Sequence, residues 1–183
     1  MAGTLTVQNL QGPSTGANAN KILIPSGQTL DVSGGTLTPS AGQVVQCVSS
    51  DSAQGWTTTT STSYVDSGLS LSITPKFASS VILVDYHFPM VHTSNASTYA
   101  GVFRIYRNTT DLSLTSYDQG FHYNNGGSVP LYPSIKLECR DASHNSTSLL
   151  TYKVYMRTTL SGAQVHLTHN GSAIHLKLWE IAQ

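Results

Sequence analysis

The chain has 183 residues, and its nine basic and nine acidic side chains cancel to zero formal charge. Charged residues make up only 10% of it, against about a quarter of a typical globular chain, so solubility must come from Ser, Thr, Asn and Gln. These values exclude disorder driven by net charge. With no Lys/Arg cluster, they also exclude the basic face of a nucleic-acid binder.

The length suits one ordinary domain plus an extension. The first residues, Met1 to Thr6, carry no positive region followed by an apolar core, so they do not read as a secretory signal. No stretch approaches the ~18 apolar residues that span a bilayer. The expectation is a protein made in a cytosol, without membrane insertion. There Cys47 and Cys139 should be buried thiols rather than a disulfide. The sequons at Asn95, Asn108, Asn145 and Asn170 then reflect Asn/Ser/Thr richness rather than glycosylation.

Residues 1–46 carry two charges, Lys21 and Asp31. Turn residues punctuate them at Gly12-Pro13, Pro25-Ser26-Gly27, Gly34-Gly35 and Pro39 to Gly42. Between the turns lie short apolar pieces: Leu5 and Val7, Ile22 to Ile24, Leu30 and Val32, and Leu37. Pro25-Ser-Gly-Gln-Thr-Leu is echoed by Pro39-Ser-Ala-Gly-Gln-Val-Val. No piece buries enough surface to fold alone. Two readings stay open. One is a flexible linker. The other is a stalk in which copies from several chains supply each other's neighbours, favoured by the alternation Leu30-x-Val32.

From Gln43 onward the pattern is strands and turns. Gln43–Ser50 enters a β domain at residues 47–183. Tyr64 to Gly68 reads as a turn. Leu69, Leu71 and Ile73 alternate with Ser70, Ser72 and Thr74, a half-buried strand that Pro75 ends. Ser79–His87 is the longest apolar run; short and β-branched, it predicts a central strand buried on both faces. Pro89 breaks it. Tyr99–Arg107 places Phe103 and Ile105 on one face and Val102, Arg104 and Tyr106 on the other. Asn108–Asp111 is a turn. Ser134–Arg140 turns Ile135, Leu137 and Cys139 inward. Leu150, Tyr152, Val154 and Met156 alternate with polar neighbours. Val165 and Leu167 form a short strand, and Asn170-Gly171 signals a hairpin before Ile174, Leu176 and Leu178. No segment keeps a helical period. The fold class is therefore all-β, an antiparallel β-sandwich or jelly roll preceded by an extended N-terminal β stalk.

Chemistry is sparse. Among seven histidines, His166, His169 and His175 flank the last hairpin, with His166 and His175 expected to point outward. The spacing matches no closed zinc pattern, so no metal and no cofactor is expected, although one His per chain could gather on a symmetry axis. Most acids fall in predicted turns. Asp85, inside the apolar run, reads as a buried partnered acid or an edge position before a catalytic one. There is no nucleophile elbow, phosphate loop or Cys-His signature, and no enzymatic activity is expected. The best candidate recognition loop holds Tyr117, Asp118, Phe121, His122, Tyr123, Asn124, Asn125 and Tyr132. Aromatic faces beside Asn and Asp suit sugars or protein epitopes; core aromatics around a glycine turn are the reading that burial statistics slightly favour.

The run from Gly16 to Leu37 (Gly-Ala-Asn-Ala-Asn-Lys-Ile-Leu-Ile-Pro-Ser-Gly-Gln-Thr-Leu-Asp-Val-Ser-Gly-Gly-Thr-Leu) resembles stalk segments of tailed-phage virion proteins, marine and cyanobacterial phages above all. Thr60 to Val84 resembles the start of β-sandwich modules in phage fibre-like proteins. The resemblance implies a virion appendage, commonly a homotrimer, docked on other virion proteins through the N-terminal segment 1–46. Its β-sandwich would face a host surface glycan or protein. No catalytic residues carry over. The short length suits a short fibre, a head or neck fibre, or a capsid decoration or cement protein better than a long tail fibre.

Overall fold

The computed structural model describes residues 11–19, 21–29, 38–53, 57–89, 91–94, 98–113, 120–125, 132–167 and 173–183. Cα packing divides the chain after Thr38. The described residues of the first unit contain turns and no strand. Gly16 and Gly27 adopt positive φ, and the amides of Ala19 and Gln28 close turns onto the carbonyls of Gly16 and Pro25, each at 3.0 Å. Ile22, Leu23 and Ile24 are all exposed, at 52%, 58% and 46%.

The second unit is all-β. Its strands are β1 (Val44–Ala53), β2 (Thr58–Thr59), β3 (Val65–Ile73), β4 (Val81–Phe88), β5 (His92–Ser94), β6 (Thr98–Arg107), β7 (Thr110–Asp111), β8 (Gly120–Asn125), β9 (Ile135–Asp141), β10 (Leu150–Thr158), β11 (Gln164–His166) and β12 (Ala173–Ile181). A front sheet has the order β1-β12-β4-β9. A back sheet runs β3-β10-β6-β7, with β8 also on β6, and a small sheet runs β2-β11-β5. Every pairing is antiparallel.

The sandwich follows from alternation. In β10, Leu150, Tyr152, Val154 and Met156 are buried while the residues between them are not. In β12, Ile174, Leu176 and Leu178 turn inward. These rows meet Val84, Tyr86, Phe88, Phe103, Ile105 and Leu137 in one core, each large side chain contributing about 1.5–3 kcal/mol. Polar ties cross it. The Tyr86 hydroxyl of the front sheet donates to the Tyr152 carbonyl of the back sheet at 3.0 Å. Arg107 of β6 donates to both oxygens of Asp141 of β9 at 2.8 Å, and the Tyr152 hydroxyl joins them at 2.7 Å. At Gly101 of β6 an added Cβ would run into the Val165 side chain of β11, so the back and small sheets approach there because the residue is glycine.

Several expectations change. The run Ser79–His87 is not buried on both faces. β4 alternates, with Leu83 37% exposed and Asp85 and His87 half-buried; no other strand of this unit stacks on the outer side of the front sheet among the described residues. Tyr64 to Gly68 is not a turn between strands. Val65 already pairs with β10, and the register slips between Lys153 and Tyr155. Gly68 takes φ of 78° and its amide bonds Asp66 Oδ1 at 2.8 Å, so the turn chemistry makes a bulge. Asn170-Gly171 lies outside the described residues, but its flanking strands are not hairpin partners: β11 pairs with β2 and β5, β12 with β1 and β4. His166 is buried, at 3%: Val165 and Leu167 on either side join the core, and the His92 ring of the neighbouring strand lies 5.2 Å from the His166 ring. Both cysteines are free, yet Cys47 is exposed, since β1 edges the front sheet.

Candidate functional site

The predicted recognition residues fall in three places. Tyr117 and Asp118 lie outside the described residues. Phe121, His122, Tyr123, Asn124 and Asn125 belong to β8, paired with Val102 back to Thr98 of β6, so this stretch is a strand rather than a loop. Tyr123 is 54% exposed. Tyr132 lies beyond β8, 39% exposed, with its ring 4.8 Å from that of His92. His92 in turn meets the ring of His166 across β5 and β11 at 5.2 Å.

The outer face of the front sheet brings together residues that the sequence reading left scattered. Register aligns Cys47, Trp179, Leu83 and Arg140 in one row, Ser49, Lys177, Asp85 and Glu138 in the next, and Asp51, His175, His87 and Lys136 in a third. Three of the chain's nine acids and three of its nine bases therefore share one face of one sheet. Many are matched. Lys136 Nζ sits 2.5 Å from Glu138 and 3.3 Å from Asp85, so the Glu138 carboxylate first, then Asp85, raises the Lys136 pKa. His175 Nδ1 meets Asp51 at 2.8 Å, the His175 and His87 rings lie nearly parallel with centroids 6.0 Å apart, and His87 Nε2 pairs with the Ser134 hydroxyl at 2.7 Å. Arg140 and Lys177 have no ion-pair or hydrogen-bond partner among the described residues. Beside them Leu83, Val84, Asp85, Glu138, Cys139, Arg140 and Trp179 line an open hollow of about 450 Å³, within the roughly 300–1,000 Å³ range of small-ligand pockets. The alternation of β4, β9 and β12 carried the signal for this site. Reading β4 as doubly buried hid it.

The outer face of the back sheet has similar composition but different chemistry. Arg104 bonds Asp111 at 2.7 Å, and Lys153 bonds Asp66 at 2.9 Å. Burial pushes both acids up, but bonds from Ser113 and Arg104 outweigh it at Asp111, as do those from Lys153 and Gly68 at Asp66, so both pKa values fall. Tyr106 and Tyr155 stack at 4.0 Å. The guanidinium groups of Arg104 and Arg157 lie 4.5 and 5.0 Å from the centre of the Tyr64 ring.

One inner cluster holds serine, histidine and glutamate. The Ser80 hydroxyl lies 2.8 Å from Glu180 and 3.4 Å from His144 Nε2. A nucleophilic triad needs the acid on the far imidazole nitrogen and an accessible hydroxyl. Here the acid bonds the serine, His144 Nδ1 faces the Ser146 carbonyl, and Ser80 is 1% exposed. Glu180 also accepts from the amides of Lys76 and Phe77 and from Gln46 Nε2. Burial raises its pKa, but these bonds outweigh burial and hold it below the usual carboxylate value. The cluster clasps the β3–β4 connection onto β12. Among the described residues no group of three or more His, Cys, Asp or Glu is placed to hold a metal ion, and no helix is long and apolar enough to cross a membrane.

No protein-family model matches the chain, and no curated protein matches it. Among solved structures, the VP2 subviral particle of infectious bursal disease virus is similar at 13% identity and a TM-score of 0.35. The match covers 76% of this chain and 38% of that one, so the chain spans well under half the length of that protein.

Proposed function

We propose that the chain is a non-enzymatic structural protein of a tailed-phage virion, a short homotrimeric fibre or appendage that displays its β-sandwich for attachment to the host surface. The observation that carries this reading is the exposed run Ile22-Leu23-Ile24 in the first unit. Three consecutive exposed apolar residues, in a segment with turns but no strand, are costly for a lone chain. Copies packed side by side would cover them. The resemblance of Gly16 to Leu37 to phage stalk segments supports the same reading, as does a sandwich whose core closes within one chain. Docking on other virion proteins falls to the N-terminal segment, made in the host cytoplasm with the rest of the particle.

Two measurements test this. Sedimentation of the full chain should give a trimer, and Ile22→Asp with Ile24→Asp should give monomers with an intact sandwich. Antibodies to residues 47–183 should label particles at the tail or neck in electron micrographs. Label spread over the head would replace attachment by capsid decoration or a cement role. Absence of label from every particle would remove the virion reading.

A further inference from the structure

We propose that the outer face of the front sheet is a saccharide site, taking a carboxylate-bearing sugar whose ring lies on Trp179 and whose carboxylate pairs with Arg140. The inference rests on the attachment reading and names the ligand class for it.

Four observations carry it. Arg140 and Trp179 flank Leu83 on either side in register, which sets their backbones about 10 Å apart, twice the strand spacing. Leu83 floors the hollow between them. The indole is half-buried, with surface left for a ring to cover. The fourth is which charges are paired. The acids of this face are already engaged, Asp85 and Glu138 with Lys136 and Asp51 with His175. The cations Arg140 and Lys177 are unmatched among the described residues. The face as a whole balances at three acids and three bases, but Arg140, which lines the hollow, is not engaged by a carboxylate among the described residues.

A planar guanidinium matches a carboxylate bidentately. A polyphosphate backbone fits less well, because it would bring several closely spaced anions against Asp51, Asp85 and Glu138, whereas a single carboxylate needs only Arg140. A second copy of the chain fits less well too, because interface centres are depleted of charge and this face is rich in it. A neutral sugar would satisfy Trp179 and leave Arg140 unmatched.

The test uses the full-length protein on an array of bacterial saccharides carrying hexuronic or nonulosonic acids, neutral sugars, or phosphorylated sugars, together with binding to intact host cells. Binding should concentrate on the carboxylate-bearing saccharides and weaken with salt. Trp179→Ala and Arg140→Ala should each lower it at least tenfold without shifting the thermal midpoint by more than a few degrees, and Arg140→Lys should be intermediate. Binding restricted to neutral or phosphorylated sugars overturns the carboxylate assignment. Undiminished binding by both alanine variants moves the site elsewhere. Protein that binds cells but no saccharide ends this proposal and leaves attachment standing. Protein that binds acidic saccharides but no cells does the reverse.

Discussion

The two large sheets turn similar residues to solvent and use them differently. On the back sheet, Arg104 finds Asp111, Lys153 finds Asp66, two guanidiniums cover Tyr64 and two tyrosines cover each other. On the front sheet, Lys136 serves two acids while Arg140 and Lys177 have no partner among the described residues. A face whose charges are matched within the chain has little left to offer a ligand. A face with unmatched cations beside an indole and a hollow does. The lesson is that matching, more than composition, separates a stabilising surface from a receptive one.

The sharpest way to break that comparison is to ask whether the front face is open at all. Cys47 is exposed next to Trp179 in register. Cys139 points toward the core, where burial first, and then the Asp141 charge, pushes its thiol pKa up to about 12. A thiolate is the reactive form. Maleimide should therefore label Cys47 alone in the native protein, and both thiols only after unfolding. Protection of Cys47 in the assembled protein would mean that another chain covers this face, and the contrast between the sheets would collapse.

If the outer faces serve recognition and local matching, the large stability effects should lie inside. Asp141→Ala leaves Arg107, its side chain only 15% exposed, without its carboxylate and the buried Tyr152 hydroxyl without its acceptor, which should cost about 3–5 kcal/mol, read as a shift of the urea midpoint. Glu180 comes next. Its folded pKa is below the ordinary 4.5, so its contribution is fully present above about pH 4.5 and is lost as pH falls through the folded value. Asp141, also lowered, adds to the same loss below its ordinary 3.8. Thermal midpoints should fall steeply below about pH 4.5. Glu180→Gln should flatten that slope while costing about 1.5–3 kcal/mol at neutral pH. An unchanged slope in the variant would show that Glu180 is not the titrating clasp.

The alternation that exposed the sandwich was plain in the chain, because period-two burial is written directly in β3, β10 and β12. Its limits were also physical. Val81 to Val84 is apolar on consecutive positions, so nothing local says that Leu83 faces out; only its neighbours Trp179 and Arg140, distant in sequence, decide that. Asp141 and Glu180 sit at strand ends, where an acid reads as a solvated turn residue until partners far along the chain fold over it. The bulge at Gly68 carries the same residues as a turn. The aromatics around Tyr123 and Tyr132 left recognition and core readings open, because composition does not fix which face a ring takes, and their spacing could not reveal that β8 is a strand on β6.

The smallest expected effect discriminates most finely between the two faces. Arg104→Ala removes an ion pair with Asp111 and a cation over Tyr64, and should cost about 1–2 kcal/mol as the sum of those two contacts. Arg140→Ala, the corresponding change on the front sheet, removes a side chain without a partner among the described residues and should stay within about 0.5 kcal/mol. Both are exposed-face arginines on sheet strands, so strand propensity and unfolded-state effects largely cancel between them. Urea midpoints for the two variants, measured side by side at low salt, give the difference directly. A larger loss from Arg140 than from Arg104 would mean that Arg140 is already spent on stability, and the front face would have no free cation to offer a ligand.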